Sequence, residues 1–287
     1  MTETLSEPQA RLTGPRPRLD PRRHIATGDF ADIALADSVA AGRYVAPVAM
    51  TCQAPRTPLR GAGAGDAVAV SELLFGEGFA LFDVAGAWGF GRSVHDRYTG
   101  WVALAALAPG APPSGQRITA RIAPVFARPD IKAPLVCELP FGAWVAGVVE
   151  GNFLALATGG YLHHRHLAAL PATPLAVARR FAGAPYLWGG RTPLGVDCSG
   201  LVQASLMACG VACPRDSDQQ RNELGIAVDF ADRRGGDLVF FPGHVGILVD
   251  ADTLFHANAH WMATVEEPLA DVIARGAEVI AVRRVHI

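Results

Sequence analysis

The sequence predicts an α+β fold in which two small β-barrels precede a larger domain of helices and antiparallel strands. Three observations carry this prediction. Short apolar runs broken by Gly, Pro and Asp extend from Met50 to about Leu170, a texture typical of small β-structures. The same stretch contains an internal repeat. Beyond it, helical patterns come first and a strand-rich tail follows, which is the order of an α+β domain.

The first fifty residues are predicted to form an N-terminal arm that is only partly ordered. Residues 1–23 are rich in Pro and Arg and indicate an extended or mobile segment. The pattern from Thr27 to Ala41 fits either a short helix capped near Thr27 or an irregular segment wrapped on a neighbour. The N-terminus lacks the apolar core of a signal peptide, and no run of about 18 apolar residues occurs. We therefore expect a cytoplasmic protein with no membrane span.

Two pairs of matching segments define the repeat. Glu72 to Gly76 recurs as Glu138 to Gly142, an offset of 138 − 72 = 66. Leu104 to Leu107 recurs as Leu167 to Leu170, an offset of 167 − 104 = 63. Aromatic-rich hairpin patterns lie between these segments in both copies, which favours barrels of short strands. The two predicted barrels span residues 51–111 and 115–171.

The last predicted domain spans residues 174–287 and opens with helices over residues 175–182 and 198–209. The second helix has one apolar or small face, made of Cys198, Leu201, Val202, Ser205, Leu206 and Cys209. The predicted strands follow at residues 237–241, 244–249, 253–257 and 278–285.

Composition excludes several classes of function. The formal net charge of −2 argues against nucleic acid or an acidic membrane as the main partner. Lys132 is the only lysine, which removes Schiff-base chemistry and a phosphate-loop lysine. The five cysteines are few, odd in number and scattered, as is typical of a reducing compartment, and they complete no zinc set. We expect neither a metal nor a cofactor.

Cys198 is the leading candidate for chemistry. Asp197 is a natural N-cap, which makes Cys198 the first residue of its helix. The unpaired N–H groups and the dipole at a helix start favour the thiolate, which is the nucleophilic form of cysteine. The alternative is that Cys198 is a small buried hydrophobe, as free cysteines usually are.

Two histidines are predicted to supply the base. His244 follows a Pro-Gly turn and His256 lies 256 − 244 = 12 residues later, so a hairpin would place both imidazoles on one face. A cysteine facing a histidine that a third polar group orients is the arrangement of nucleophilic catalysis. The alternatives are that His244 is a turn residue and that His256 is a half-buried strand residue bound to backbone.

These residues belong to a set of motifs that resembles a known family. The set is Tyr186-Leu187-Trp188-Gly189-Gly190, Asp197-Cys198-Ser199-Gly200-Leu201-Val202, Gly243-His244-Val245-Gly246-Ile247 and His256-Ala257. Residues 174–287 resemble the NlpC/P60 family of papain-like cysteine peptidases and amidases that cut bacterial cell-wall peptides. The two repeats before them resemble bacterial SH3 domains. The whole arrangement is similar to the γ-D-glutamyl-L-diamino acid endopeptidases of the dipeptidyl-peptidase VI type.

The resemblance implies a substrate and a set of roles. Such enzymes act on free murein peptides with an unblocked N-terminal L-Ala during cell-wall recycling, and a murein tripeptide or tetrapeptide is the implied partner. By position, Cys198 is the nucleophile, His244 the base and then the acid, and His256 the residue that orients it. The implied substrate-binding residues are Tyr186, Trp188, Asp197, Ser199 and Ser217, with Glu72 and Tyr98 from the first barrel.

Some parts of the resemblance stay open. Glu77 competes with Glu72 as the acid of the first barrel, and Tyr98 equally suits a plain hairpin aromatic. We expect Asp197 and one of these acids to bind the substrate ammonium, because a free ammonium in a closed cleft needs carboxylate partners. Two other functions remain: a lytic endopeptidase acting on intact peptidoglycan, and an inactive scaffold that binds cell-wall peptides. The oligomeric state is not predicted.

Overall fold

The computed structural model describes residues 17–169, 171 and 173–286. The described chain is rich in β-structure and has few helices. It consists of a short N-terminal segment, two β-sheet units and a C-terminal α+β unit. Within these residues, no helix has the length and apolar character needed to cross a membrane.

The N-terminal segment packs on the first β-unit. Strands β1 (Ala31–Asp32) and β2 (Tyr44–Val45) pair in parallel, with a 3₁₀ turn at Ile33–Leu35. Phe30 and Ile25 are buried against Phe82, which fastens the segment to the first sheet. The irregular alternative for this segment is therefore the correct one, since no α-helix forms between Thr27 and Ala41.

The first β-unit is a seven-stranded antiparallel sheet with the order β5-β4-β8-β7-β6-β3-β9. Its hairpins are tight: Gly86 joins β6 to β7 with a φ of 58°, a left-handed conformation that glycine adopts at little cost. Leu59, Leu73, Phe79 and Val102 fill its core. The strands are β3 (Val48–Cys52), β4 (Arg56–Arg60), β5 (Ala69–Leu74), β6 (Gly78–Ala85), β7 (Trp88–Ser93), β8 (Thr99–Ala103) and β9 (Leu107–Pro109).

The second β-unit repeats this plan. Its five-stranded sheet has the order β12-β11-β16-β15-β14, which matches β5-β4-β8-β7-β6 strand for strand, and β10 pairs with β13 beside it. The strands are β10 (Gln116–Arg117), β11 (Ile122–Phe126), β12 (Leu135–Pro140), β13 (Trp144–Val145), β14 (Gly147–Glu150), β15 (Phe153–Leu156) and β16 (Tyr161–His163).

Only one of the two repeat offsets predicted from the sequence matches the spacing of the elements in the structure. Strands β5 and β12 start 135 − 69 = 66 residues apart, which is the offset predicted from Glu72 and Glu138. The 3₁₀ turns that follow β8 and β16 start 164 − 104 = 60 residues apart, not 63. The Leu-Ala-Ala-Leu match is therefore out of structural register, and Leu170 lies outside the described residues.

The C-terminal unit is α+β, as predicted. Its six-stranded sheet is antiparallel throughout, with the order β19-β24-β20-β21-β22-β23. The helices are α1 (Pro174–Ala178), α2 (Cys198–Ala208), α3 (Ser217–Glu223) and α4 (Leu269–Ala274). The strands are β17 (Arg191–Thr192), β18 (Gly195–Val196), β19 (Ile226–Val228), β20 (Leu238–Phe241), β21 (His244–Leu248), β22 (Thr253–Asn258), β23 (Ala263–Pro268) and β24 (Ala281–Arg284).

Helix α2 lies against the sheet at β21 and β22. The face predicted from the sequence is the buried one, because Leu201, Val202 and Leu206 join Val245, Ile247 and Phe255 in one core. Burial of such side chains is the main stabilising term of a domain of this kind. It fixes the start of α2 next to the first residue of β21.

A buried arginine joins the first β-unit to the C-terminal unit. Arg191 donates from both terminal nitrogens to Glu77, at 3.0 and 3.1 Å, and from Nε to Gln203 at 2.9 Å. Its backbone N–H donates to the carboxylate of Glu72 at 2.9 Å. Buried charges are tolerated only when paired in this way, so the contact fixes how the first sheet meets α2.

Candidate active site

Cys198 is the first residue of α2, and Asp197 is its N-cap, as predicted. The Asp197 carboxylate accepts from the backbone N–H of Gly200 at 2.7 Å and of Gly189 at 2.8 Å. These bonds satisfy one of the donors that a helix start leaves unpaired and hold the preceding loop against it. Cys198 is only 6% exposed, yet it borders a cavity of about 250 Å³.

Burial of the sulfur opposes the effect that the helix start is predicted to have on the charge of Cys198. Burial, and after it the negative charge of Asp197, raises the pKa of Cys198 to about 12. A hydrogen bond from the backbone N–H of Val245 and the charge of Arg215 act in the opposite direction but do not offset burial. The sequence indicates the helix dipole, which lowers the pKa of Cys198, but not the desolvation of the sulfur. Desolvation raises this pKa by more than the dipole lowers it.

The alkylation rate of Cys198 tests this charge state. Because only the thiolate reacts, a thiol with a pKa near 12 should alkylate with iodoacetamide about tenfold faster for each pH unit, without a plateau from pH 7 to pH 10. The rate is measured by mass spectrometry on the peptide that contains Cys198. A Cys198→Ser variant corrects for labelling of other thiols. A rate that is already constant between pH 6 and pH 8 would mean that the thiolate is preformed.

The two imidazoles lie side by side, as predicted. Strands β21 and β22 form the expected hairpin, and Nε2 of His244 is 2.7 Å from Nδ1 of His256. Burial, and next the neighbouring His256, lowers the pKa of His244 to about 3, so this ring is neutral near pH 7. The His244 ring is therefore a proton acceptor at neutral pH, which a base for a neutral thiol must be.

One nitrogen of His244 remains for the thiol. Its Nε2 faces His256, which leaves Nδ1 as the ring nitrogen that makes no hydrogen bond among the described residues. Among the described residues no hydrogen bond joins the Cys198 sulfur to the His244 ring. The sulfur instead meets the backbone N–H of Val245, the residue after His244. Catalytic contacts of this kind often tighten only when substrate is bound.

Four polar residues behind His256 were missed from the sequence. Nε2 of His256 lies 2.7 Å from Oε1 of Glu267 and 2.8 Å from the side-chain nitrogen of Asn258. The Glu267 carboxylate also accepts from Arg275 at 2.7 Å and from the Trp261 indole at 3.2 Å. Glu267 lies on β23 and Arg275 just after α4, two elements that were not predicted. The sequence carried no signal for this cluster.

The cavity brings together six of the predicted residues: Tyr98, Trp188, Asp197, Cys198, Ser199 and Ser217. Val70, Asp216, Asp218 and Gly243 complete its lining. Val70 and Tyr98 come from the first β-unit, so one wall of the cavity belongs to a different unit from the nucleophile. Tyr98 is more than a hairpin aromatic, because its hydroxyl donates to Asp216 at 2.9 Å.

Tyr186 is near Cys198 but is not among the residues that line this cavity. Its backbone N–H donates to Met262, and its ring packs on the core that contains Cys198. Burial, and next the nearby Cys198, raises the pKa of Tyr186 to about 12, so the hydroxyl keeps its proton. A protonated hydroxyl is available as a hydrogen-bond donor.

Neither Glu72 nor Glu77 lines the cavity, which corrects both candidates for the acid of the first barrel. Glu72 accepts from Arg56 at 2.8 Å and from the backbone of Arg191, and Glu77 is held by the Arg191 guanidinium. Both carboxylates are buried where the first β-unit meets the C-terminal unit. Buried acids at such a junction need a charge partner, and Arg56 and Arg191 supply it.

Asp197 is not a free carboxylate either. The Arg215 guanidinium, 1% exposed, donates to its two oxygens at 2.9 and 2.6 Å and to the Ser199 hydroxyl at 2.9 Å. With its two backbone donors, Asp197 is fully bonded. Asp197 lines the cavity, but Arg215 already compensates its charge, so direct binding of an ammonium by Asp197 stays a prediction.

The acidic end of the cavity lies at α3. Asp216 and Asp218 accept from the Arg22 guanidinium at 2.7 and 2.8 Å, and Asp20 accepts from the same group at 2.8 Å. Three carboxylates around one guanidinium leave a net charge of −3 + 1 = −2. Within the predicted N-terminal arm, residues 20–23 are held against α3 through Arg22 and through an ion pair between Arg23 and Glu223. Residues 1–16 of that arm lie outside the described residues.

No group of three or more His, Cys, Asp or Glu side chains among the described residues is arranged to hold a metal ion. The side chains at and beside Cys198 supply a thiol, two imidazoles and hydrogen-bond donors. This set can form and hydrolyse a thioester.

Comparisons with known proteins agree with the geometry. Residues 183–272 match the NlpC/P60 family, and residues 59–107 match the bacterial dipeptidyl-peptidase SH3 domain. A crystal structure of an NlpC/P60 family protein from Bacillus cereus ATCC 10987 superposes with a TM-score of 0.70 at 19% identity, covering 82% of this chain and 99% of that one. That likeness shows the fold.

Curated relatives match over shorter stretches. Dipeptidyl-peptidase 6 of Lysinibacillus sphaericus is 30% identical over 158 residues, which is 48% of this chain and 58% of the relative. Gamma-D-glutamyl-L-lysine dipeptidyl-peptidase of Bacillus subtilis strain 168 is 38% identical over 86 residues, which is 27% of this chain and 28% of the relative. The chain thus spans little more than half the length of the first and less of the second.

Proposed function

We propose, from the premise that this chain carries an NlpC/P60 domain and a bacterial SH3 domain, that it is a cysteine endopeptidase. Its substrate is a free murein peptide with an unblocked N-terminal L-Ala, and it cleaves the bond between γ-D-Glu and the diamino acid. The names of two relatives, a dipeptidyl-peptidase 6 and a gamma-D-glutamyl-L-lysine dipeptidyl-peptidase, support this substrate class.

The observation that carries the proposal is a thiol at a helix start in a cavity whose far end is acidic. Cys198 lines the same cavity as Asp216 and Asp218, and the charge around Arg22 is net negative. A carboxylate cluster attracts a cationic group. We assign the L-Ala ammonium to this end, with the Tyr98–Asp216 pair as its contact in place of Glu72 and Asp197.

The reaction proceeds through a thioester. Nδ1 of His244 takes the thiol proton as the sulfur attacks the γ-carbonyl of D-Glu. The His244 imidazolium then gives that proton to the amine of the diamino acid as the amide C–N bond breaks. Water hydrolyses the thioester, with His244 again accepting a proton, and L-Ala-γ-D-Glu leaves as the free acid. The backbone N–H of Cys198 and the Tyr186 hydroxyl are the donors for the oxyanion.

We also propose that residues 115–169 form a second SH3-like barrel. The support is the strand order, since β12-β11-β16-β15-β14 repeats that of the first unit. A cytoplasmic site of action in peptide recycling belongs to the same proposal. Its support is that each of the five cysteines, all within the described residues, is a free thiol.

The test compares three substrates: L-Ala-γ-D-Glu-meso-diaminopimelate, its N-acetylated form and intact sacculi. We expect N-acetylation to lower kcat/KM by at least about 100-fold, because the acidic end then faces no cation. Asp216→Asn should shrink this discrimination by about tenfold, whereas Asp130→Asn, exposed on the second β-unit, should leave it unchanged. Release of products is measured by chromatography.

Two outcomes contradict the proposal. Preference for sacculi would identify a lytic enzyme of the intact wall. Binding of the free tripeptide without any turnover would identify a peptide-binding scaffold.

A further inference from the structure

The ring nitrogen Nε2 of His256 has two neighbours, one of which requires a hydrogen-bond donor and the other a hydrogen-bond acceptor. Oε1 of Glu267, 2.7 Å away, can only accept a hydrogen bond when it is ionised. The side-chain nitrogen of Asn258, 2.8 Å away, can only donate one. A single ring nitrogen cannot satisfy both. Whether Nε2 carries the proton therefore defines the tautomer of His256, whose ring is 1% exposed and has no access to bulk water.

The surroundings of Glu267 favour its ionised form. Arg275 donates to it at 2.7 Å and the Trp261 indole at 3.2 Å, so two donors besides His256 face the carboxylate. Burial acts to raise the pKa of Glu267, but these hydrogen bonds outweigh it and hold the pKa below its ordinary value. A hydrogen bond to an ionised group is about twice as strong as one between neutral groups. Donation from His256 to Glu267 thus prevails over acceptance from Asn258.

The tautomer of His256 sets that of His244. With its proton on Nε2, His256 presents a lone pair at Nδ1, which lies 2.7 Å from Nε2 of His244. His244 must then carry its own proton on Nε2 and a lone pair on Nδ1. In the opposite tautomer His256 would donate from Nδ1 to Nε2 of His244. His244 would then carry its proton on Nδ1 and would have no free lone pair to accept the thiol proton.

We propose that Glu267 is a positioning residue that fixes the direction of the hydrogen bonds through both imidazoles. These hydrogen bonds run from His244 through His256 to the Glu267 carboxylate, which Arg275 and Trp261 hold in place. In catalytic terms the inference rests on the proposed peptidase function, because only then does a lone pair on Nδ1 of His244 serve a reaction. The tautomers themselves do not depend on that function.

Nitrogen NMR on the unmodified protein gives the first test. Long-range ¹⁵N–¹H correlation spectra distinguish the two tautomers of each neutral histidine at pH 7. We expect both His244 and His256 to carry the proton on Nε2. A proton on Nδ1 of His256 would overturn the inference, whether or not the protein cleaves any peptide.

Two adjacent glutamates provide the variant and its control. Glu267→Gln keeps the shape but offers one acceptor oxygen, for which His256 and Arg275 compete. We expect kcat to fall roughly 10- to 100-fold, the range for loss of a partner that orients an imidazole, with KM nearly unchanged and Nδ1-protonated His256 detectable. Glu266→Gln alters an exposed side chain that pairs only with Arg179 in the described structure, and it should change neither readout.

The outcomes separate the two proposals. If Glu267→Gln has the kcat of the unmodified protein, or loses activity while both tautomers stay on Nε2, Glu267 has no positioning role. If the unmodified protein shows the expected tautomers but cleaves no murein peptide, the proposed function fails and the assignment of Glu267 stands.

Discussion

Replacing Cys198 with alanine is expected to abolish turnover of the free tripeptide while leaving its binding nearly unchanged. Loss of a catalytic nucleophile lowers kcat by about 10⁴-fold or more, because binding and oxyanion contacts alone retain only about 10³- to 10⁴-fold acceleration over the uncatalysed reaction. The methyl group fits the same space, so the cavity and its acidic end should persist. Single-turnover assays give the rate, and titration calorimetry gives the Kd.

Cys209→Ala is the matched control, since Cys209 directly follows the same helix and is distant from the cavity lining. It should retain full activity. Residual turnover of Cys198→Ala within tenfold of the unmodified protein would mean that the sulfur is not the nucleophile. Loss of peptide binding in the same variant would mean that the thiol also contributes to binding of the substrate before the reaction.

Replacing Arg191 with methionine should lower the free energy of unfolding by about 3–5 kcal/mol, the cost of removing one partner of a buried ion pair. The change leaves Glu77 charged and buried between the first β-unit and the C-terminal unit, and it removes the bond to Gln203. Urea unfolding followed by tryptophan fluorescence measures the change. Arg128→Met, which alters an exposed arginine, should change it by less than about 0.5 kcal/mol.

The double variant Arg191→Met/Glu77→Leu distinguishes pairing from packing. Replacing both members of a buried pair by apolar residues is often close to neutral. We therefore expect the double variant to recover most of the loss. If it is less stable than Arg191→Met alone, Glu77 contributes through its bond to the Leu74 backbone rather than through its charge.

The parts of the site that the sequence predicted are those with local signals. The cap at Asp197, the helix that starts at Cys198 and the hairpin that carries His244 and His256 each follow from spacing over fewer than fifteen residues. Short-range hydrogen bonds and alternating burial determine such elements, so their pattern is visible in the chain.

The parts that failed depend on distant contacts. The carboxylates of Glu72 and Glu77 looked available in the sequence, yet Arg191, more than a hundred residues away, holds both. Arg22 reaches α3 across almost two hundred residues. The sequence around Cys198 does not indicate its pKa for the same reason, since burial in the assembled domain raises that pKa. The periodicity of a sequence carries no information about contacts between residues that are this far apart in the chain.

The wall of the cavity that Val70 and Tyr98 contribute has a consequence for how such an enzyme diversifies. Part of the cavity wall and the nucleophile are encoded on separate stretches of the gene, so recombination within residues 48–109 would alter that wall while Cys198 stays intact. The Arg191 contact limits this exchange. A foreign barrel docks in the same pose only if it brings acids at the positions of Glu72 and Glu77, which defines a compatibility rule for chimeras.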